Sequence, residues 1–147
     1  MLSIRAVQPE ERPLLYAMVQ DFWQTSGNRV SRVQDPALRA QFFEERYGPE
    51  SRQWWAILND ERIGFCNVTL HDHPIVKRWG YIDNFYIVPK WQRQGHGRTL
   101  AHYVIEWLKQ EGATSVDLNC RTNNPTALAF WQAMGFEIVT HRLRQTF

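Results

Sequence analysis

The chain has 147 residues, 44% of them apolar and 14% aromatic with seven tryptophans, and a formal net charge of +2. That size and apolar content fit one domain over residues 1–147 around one core, with the aromatic surplus expected in the core and lining a cleft. A near-balanced charge without a dense Lys/Arg block argues against a dedicated nucleic-acid binder, and no apolar run approaches the ~20 residues of a membrane-spanning helix.

Cys66 and Cys120 have neither metal-type spacing nor a disulfide framework around them, so both read as buried thiols of a reducing compartment. Met1 to Arg5 lacks the pattern of a signal peptide, which makes the cytoplasm the expected location.

In chain order, Leu2 to Val7 alternates and predicts a first strand. Gln8-Pro9-Glu10-Glu11 opens a helix to about Trp23, its acidic first turn matching the helix dipole. Residues 26–36 carry the least structural signal. Pro36 to Tyr47 predicts a second helix with Leu38, Phe42 and Arg46 on one stripe, ended by Gly48-Pro49. Gln53–Leu58 and Ile63–Leu70 flank Asn59-Asp60 as a hairpin, and His71-Asp72-His73-Pro74 begins the next connection. Gly80–Val88 is a strand, 97–111 a helix ending near Gly112, Ser115–Asn119 a strand, 124–134 a helix, and a last strand starts at Phe136.

The most informative stretch runs from Val88 to Ala101. Pro89 stops an apolar strand, a basic turn with Gly95 and Gly97 follows, and Leu100, Ala101, Val104, Ile105 and Leu108 then fall on one helical face. Strand, glycine turn and helix start together aim free N–H groups and the positive helix end at one spot, which makes an anion site. Neither phosphate fingerprint fits: Gly97 is followed by Arg98-Thr99 rather than Lys-Ser/Thr, and Leu100 stands where a dinucleotide motif needs glycine.

Gln92-x-x-Gly95-x-Gly97, with Asn124-Pro125-Thr126-Ala127-Leu128-Ala129-Phe130-Trp131-Gln132-Ala133-Met134-Gly135-Phe136 some thirty residues on, resembles the two signature segments of the GNAT N-acetyltransferase family. The second segment also makes local sense, with Asn124 as N-cap, Pro125 at the first helical position and Gly135 as the stop. The resemblance is specific over roughly residues 80–140.

It implies a mixed α/β, mostly antiparallel sheet with helices on both faces, and an enzyme that moves an acetyl group from acetyl-CoA to a primary amine of a small molecule or peptide. By the same resemblance, backbone groups of Phe85, Tyr86 and Ile87 would meet pantetheine. Gln92, Arg93, Gln94, Gly95, His96, Gly97, Arg98 and Thr99 would hold the pyrophosphate, and Asn124, Ala127 and Phe130 would line the cofactor. Lys90 and Arg121 are further cations within that reading. No metal is expected, since His71 and His73 have no third ligand placed near them.

Amine acetylation needs a proton acceptor, because a lysine-type ammonium has a reference pKa near ~10.4. Strand alternation puts Tyr81, Asp83, Phe85 and Ile87 on one face, with Asn84 and Tyr86 on the other. Asp83 is the carboxylate of that face and the candidate base. Family members commonly carry, at the position of Trp131, a tyrosine that protonates the leaving thiolate. An indole has no proton to give at these pH values, which leaves Tyr86, Tyr103 or water as alternative acids. The same departure supports a second reading, a non-catalytic module that senses acyl-CoA. The family outline ends in two strands, but eleven residues follow Phe136. Either a short last strand or one completed by another subunit, and hence a homodimer, would account for this.

Overall fold

The computed structural model describes residues 1–147. Its five strands are β1 (Leu2–Ala6), β2 (Ser51–Leu58), β3 (Glu61–His73), β4 (Lys77–Ile87) and β5 (Val116–Asp117). They lie in the order 1-2-3-4-5, antiparallel from β1 to β4, with β5 parallel to β4. The α-helices are α1 (Arg12–Thr25), α2 (Pro36–Arg46), α3 (His96–Gln110) and α4 (Pro125–Ala133). This is the mixed α/β sheet, mostly antiparallel, that the sequence implies. None of the helices is long and apolar enough to cross a membrane.

The sheet is buried on both faces, which is why β3 runs apolar without alternation from Ile63 to Cys66. One face packs α1 and α2, through Leu15, Val19, Trp23, Phe43 and Tyr47, onto Trp55, Phe65 and Tyr86. The other packs Leu100, Ala101, Val104 and Leu108 of α3 and Trp131 of α4 onto Trp54, Cys66, Val68, Ile82 and Ile87.

Several expectations need correction. The apolar stripe of α2 is set one residue later than Leu38–Phe42. Phe43 stacks on Tyr47 at 5.0 Å in the core, while Leu38 stays exposed. Residues 26–36 are ordered by a 3-10 turn at Arg29–Arg32, where Asn28 caps Val30 and Val30 is buried. His71 to His73 do not begin a connection, because β3 continues through them and turns at 74–76 straight into β4. Cross-strand pairs hold that ribbon: His71 stacks on Trp79 at 4.3 Å, and Asp72 accepts from Arg78 at 2.8 and 3.1 Å. The His73 Nδ1 accepts from the N–H groups of Ile75 and Val76.

The greatest difference lies at the C-terminal end. β5 pairs with β4 at two positions only, and no strand follows Ala133. Phe136 still reaches the core, 5.2 Å from Trp131, but Ile138, Val139 and Leu143 are exposed. A two-residue β5 offers too short an edge for a further strand to pair with.

Glu11 anchors the start of α1 to the sheet. Arg5 donates to both of its oxygens at 2.8 Å, Arg62 donates at 2.6 Å and the Gln8 N–H at 2.9 Å. These bonds, Arg5 foremost, hold its carboxyl well below the usual carboxylate range. A depressed carboxyl adds stability above its unfolded pKa of ~4.3, and that contribution is lost as pH falls below this value. Glu11→Gln is therefore expected to lower unfolding stability by about 2 kcal/mol near neutral pH, with a smaller deficit at about pH 3. Urea midpoints at the two pH values read this out; a deficit independent of pH would contradict it.

Candidate functional site

β4 and β5 pair at Gly80 and Tyr81 and then part, so the β4 edge from Ile82 onward faces no strand. Val88 donates its N–H to Ile63 on β3, and Ile87 turns its carbonyl the other way, where the Gln92 side-chain amide donates to it at 2.7 Å. Strand alternation therefore aims the N–H and C=O of Phe85 and Ile87 into the opening.

At the end of this opening lies the glycine turn. Gly95 has φ +87°, a left-handed conformation that favours glycine, and Arg93 shares it at φ +61°. The N–H groups of residues 93–98 find no acceptor within the chain, because the first internal bond of α3 is Thr99 N–H to Gly95 at 3.2 Å. A Cβ at Gly97 would sit in ordinary contact with Phe85, Ile87 and Phe130 at 3.6–3.7 Å, so alanine fits and a larger side chain has to displace those side chains or turn into the opening. Lys90 is paired with Glu61 at 3.5 Å, and Glu61 also accepts from the Trp91 indole at 2.6 Å. Arg93, Arg98 and Arg121 have no carboxylate partner. The turn can hold an anion by backbone donors, the positive end of α3 and unpaired guanidiniums.

Across the opening, Asn124 caps α4 by accepting from the Ala127 N–H at 3.1 Å, which leaves its amide N–H₂ spare. Ala127 and Phe130 are half-buried beside it. Trp131 is buried and wedged edge-on among Phe85 at 5.0 Å, Phe130 at 4.9 Å and Phe136. This side of β4 is apolar throughout.

The other side is polar, and a bulge makes it so. Asn67 pairs with Asn84 but Val68 pairs with Ile82, which leaves Asp83 as the extra residue of β4. The expected alternation is thereby broken. Tyr81, Asp83, Asn84 and Tyr86 all face the α1–α2 side, whereas Phe85 and Ile87 face α3 and α4.

Asp83 accepts from Arg46 on α2 at 2.7 Å and from the buried amide of Asn67 at 3.3 Å. Asn67 in turn donates to the Arg46 carbonyl at 3.2 Å and accepts from Gln53 at 2.8 Å. Tyr47 donates its hydroxyl to Asn84. Burial, and then the Asp83 charge, raise the Tyr47 phenol well above its ordinary pKa, and the same two causes raise Tyr81. Tyr81 also accepts from Asn119 at 2.8 Å across the mouth of the opening.

Tyr86 packs among Phe22 at 5.4 Å and Phe65 at 6.1 Å, still on the polar-network side of the sheet. Tyr103 is drawn away to Trp54 on β2, two strands from the opening, which removes it as an acid. Burial pushes the Cys66 thiol up, which suits an inert core residue; Cys120, expected to be buried, is only half-buried. The sequence reading missed Asn67, Tyr47 and the partnership of Arg46 with Asp83. A polar Asn inside the buried run Phe65-Cys66-Asn67-Val68 was the available signal.

The model of the acetyltransferase (GNAT) family matches residues 15–136. Over 59 residues the chain is 36% identical to the [Ribosomal protein bS18]-alanine N-acetyltransferase of Escherichia coli strain K12, 40% of either chain. Over 85 residues it is 32% identical to the aminoglycoside N(6')-acetyltransferase type 1 of Stenotrophomonas maltophilia, 52% of this chain and 53% of that one. These matches thus span about half or less of the curated relatives' length. An aminoglycoside acetyltransferase from an uncultured soil metagenomic sample, solved in complex with sisomicin, shares the fold with a TM-score of 0.77 at 17% identity, over 99% of this chain and 97% of that one. The family match spans the parted strands, the glycine turn and the capped α4 together, and the chain belongs to the GNAT family of acetyltransferases.

Proposed function

We propose that the chain transfers an acetyl group from acetyl-CoA to a primary amine of a small molecule or peptide. The observation that carries this reading is the β4–β5 opening, apolar on one side and ionic on the other, with an anion turn at its end. Pantetheine takes the place of a missing strand along Phe85 and Ile87, and the pyrophosphate rests on residues 92–99. Asn124, with its spare amide, Ala127 and Phe130 line the far wall. The amine arrives from the polar side, where Asp83 lies and where it draws off the proton directly or through water. As the amine attacks, the N–H of Phe85 or Ile87 stabilises the carbonyl oxygen, and the C–S bond breaks to release CoA thiolate. Trp131 shapes this wall and gives no proton. A thiol of reference pKa ~8.5 leaves without a dedicated acid, since Tyr86 faces the α1–α2 side, away from the wall that Phe85 and Trp131 form.

One specific feature favours the second reading, an acyl-CoA sensor: Trp131 is locked into the core in place of a titratable side chain. Release of CoA thiol on adding amines separates the two, since a sensor binds acetyl-CoA without releasing it. The exposed apolar residues after Phe136, namely Ile138, Val139 and Leu143, support a homodimer that covers them. Light scattering across a concentration series tests it, and a monomer throughout would overturn it.

Gly97→Trp is expected to fold and to lose acetyl-CoA binding in calorimetry, whereas Gly97→Ala keeps it; unchanged affinity in a folded tryptophan variant would remove the turn from the site. Asp83→Asn should lower kcat about a hundredfold near neutral pH at unchanged acetyl-CoA affinity, with the defect shrinking as pH approaches the amine's pKa. A pH–rate profile parallel to the parent's would exclude Asp83 as the base.

A further inference from the structure

Arg46 stands beside Asp83. Its side chain is 45% exposed and bonded at 2.7 Å to that of Asp83, which is only 15% exposed, so the guanidinium is the more solvent-facing half of the pair. Of the five N–H donors of Arg46, the one on Asp83 is the sole side-chain bond that it makes. The remaining donors are uncommitted, and the group is steadied from below by the Phe42 ring at 5.5 Å. Its position is not accidental, because the Arg46 carbonyl is itself held by Asn67 and the next residue, Tyr47, holds Asn84. Together, Arg46 and Asp83 carry no net charge. A simple ammonium brought to Asp83 leaves an excess cation in a half-buried site, and a polycation leaves more. The neighbouring Tyr81 phenol feels one further acid and one further base, Asp117 and Arg142. An acceptor that brings its own anion keeps the charges balanced and gives the spare guanidinium donors a planar, two-oxygen partner.

We infer that Arg46 is a specificity-determining residue and that the acceptor is an amine carrying a carboxylate within reach of Arg46 when the amine is at Asp83, in preference to a simple amine or a polyamine. This deepens the acetyl-transfer reading and rests on it. The ammonium bonds to Asp83 while the carboxylate of the acceptor bonds to Arg46, so each half of the existing ion pair exchanges one partner without being stranded. The contrast between an amino acid and a polyamine is thus written in one side chain.

The test compares matched acceptors in the acetyl-CoA thiol-release assay: alanine against ethylamine, β-alanine against propylamine, γ-aminobutyrate against butylamine, with spermidine as the polycation. At least one amino acid is expected to exceed its matched amine, and spermidine, by about tenfold in kcat/KM. In Arg46→Gln that ratio should fall to about one, and Arg46→Lys should keep part of it. Loosening of Asp83 in either variant lowers both members of a pair alike, so the ratio isolates recognition. Turnover of amines with no carboxylate preference, or a preference unchanged in Arg46→Gln, overturns the inference and leaves acetyl transfer standing. Tight acetyl-CoA binding with no thiol release for any amine would overturn both.

Discussion

A strand that takes in one extra residue leaves side chains crowded on one face and must have them held. In β4 that residue is Asp83, and the holding is done by the last turn of α2 together with Asn67 of β3. Without these bonds, a buried amide, a half-buried carboxylate and a buried phenol would each lose a partner in surroundings of low dielectric constant, where unpaired polar groups are costly. The bulge therefore fixes where α2 sits, and α2 fixes which charges stand in front of β4. Core packing between Phe43, Tyr47 and Phe65 then follows the position set by the polar contacts above it.

The bulge also explains the division of labour between the two faces. Before it, Gly80 and Ile82 face α3; after it, Phe85 and Ile87 do, which a regular strand of period two would not allow. One strand thereby offers an apolar wall of Phe85, Phe130 and Trp131 on one side and a run of Tyr81, Asp83 and Asn84 on the other. A thioester and an ammonium prefer opposite environments, and a strand that turns apolar residues to one face and polar residues to the other offers both along one edge.

What the sequence made legible was whatever depends on local chemistry. The N-cap Asn124, the stop at Gly135 with φ +99°, the glycine turn and the α3 stripe all follow from near neighbours and stand in the structure as read. What it concealed depends on distant residues or on strand register. The side on which Asp83 points is set by a one-residue slip against Asn67, and nothing in Tyr81-Ile82-Asp83-Asn84-Phe85 announces it. The stripe of α2 slipped by one because Phe42 and Phe43 are equally apolar, and only the stack on Tyr47 chooses between them. The end of the chain misled for a different reason: Phe136 to Thr140 alternates well enough for a strand, but alternation says nothing about whether an edge exists to receive it.

The Glu61 carboxylate, fastened to the indole of Trp91 and to Lys90, joins the β2–β3 turn to the segment leading into the glycine turn. Together with the Gln92 amide on the Ile87 carbonyl, it fastens three consecutive residues, 90 to 92, just ahead of the turn. Part of the cost of ordering the turn is thereby met on folding. An anion bound there would bear less of that cost than one that had to fix the approach itself, and the gain would show chiefly in slower release.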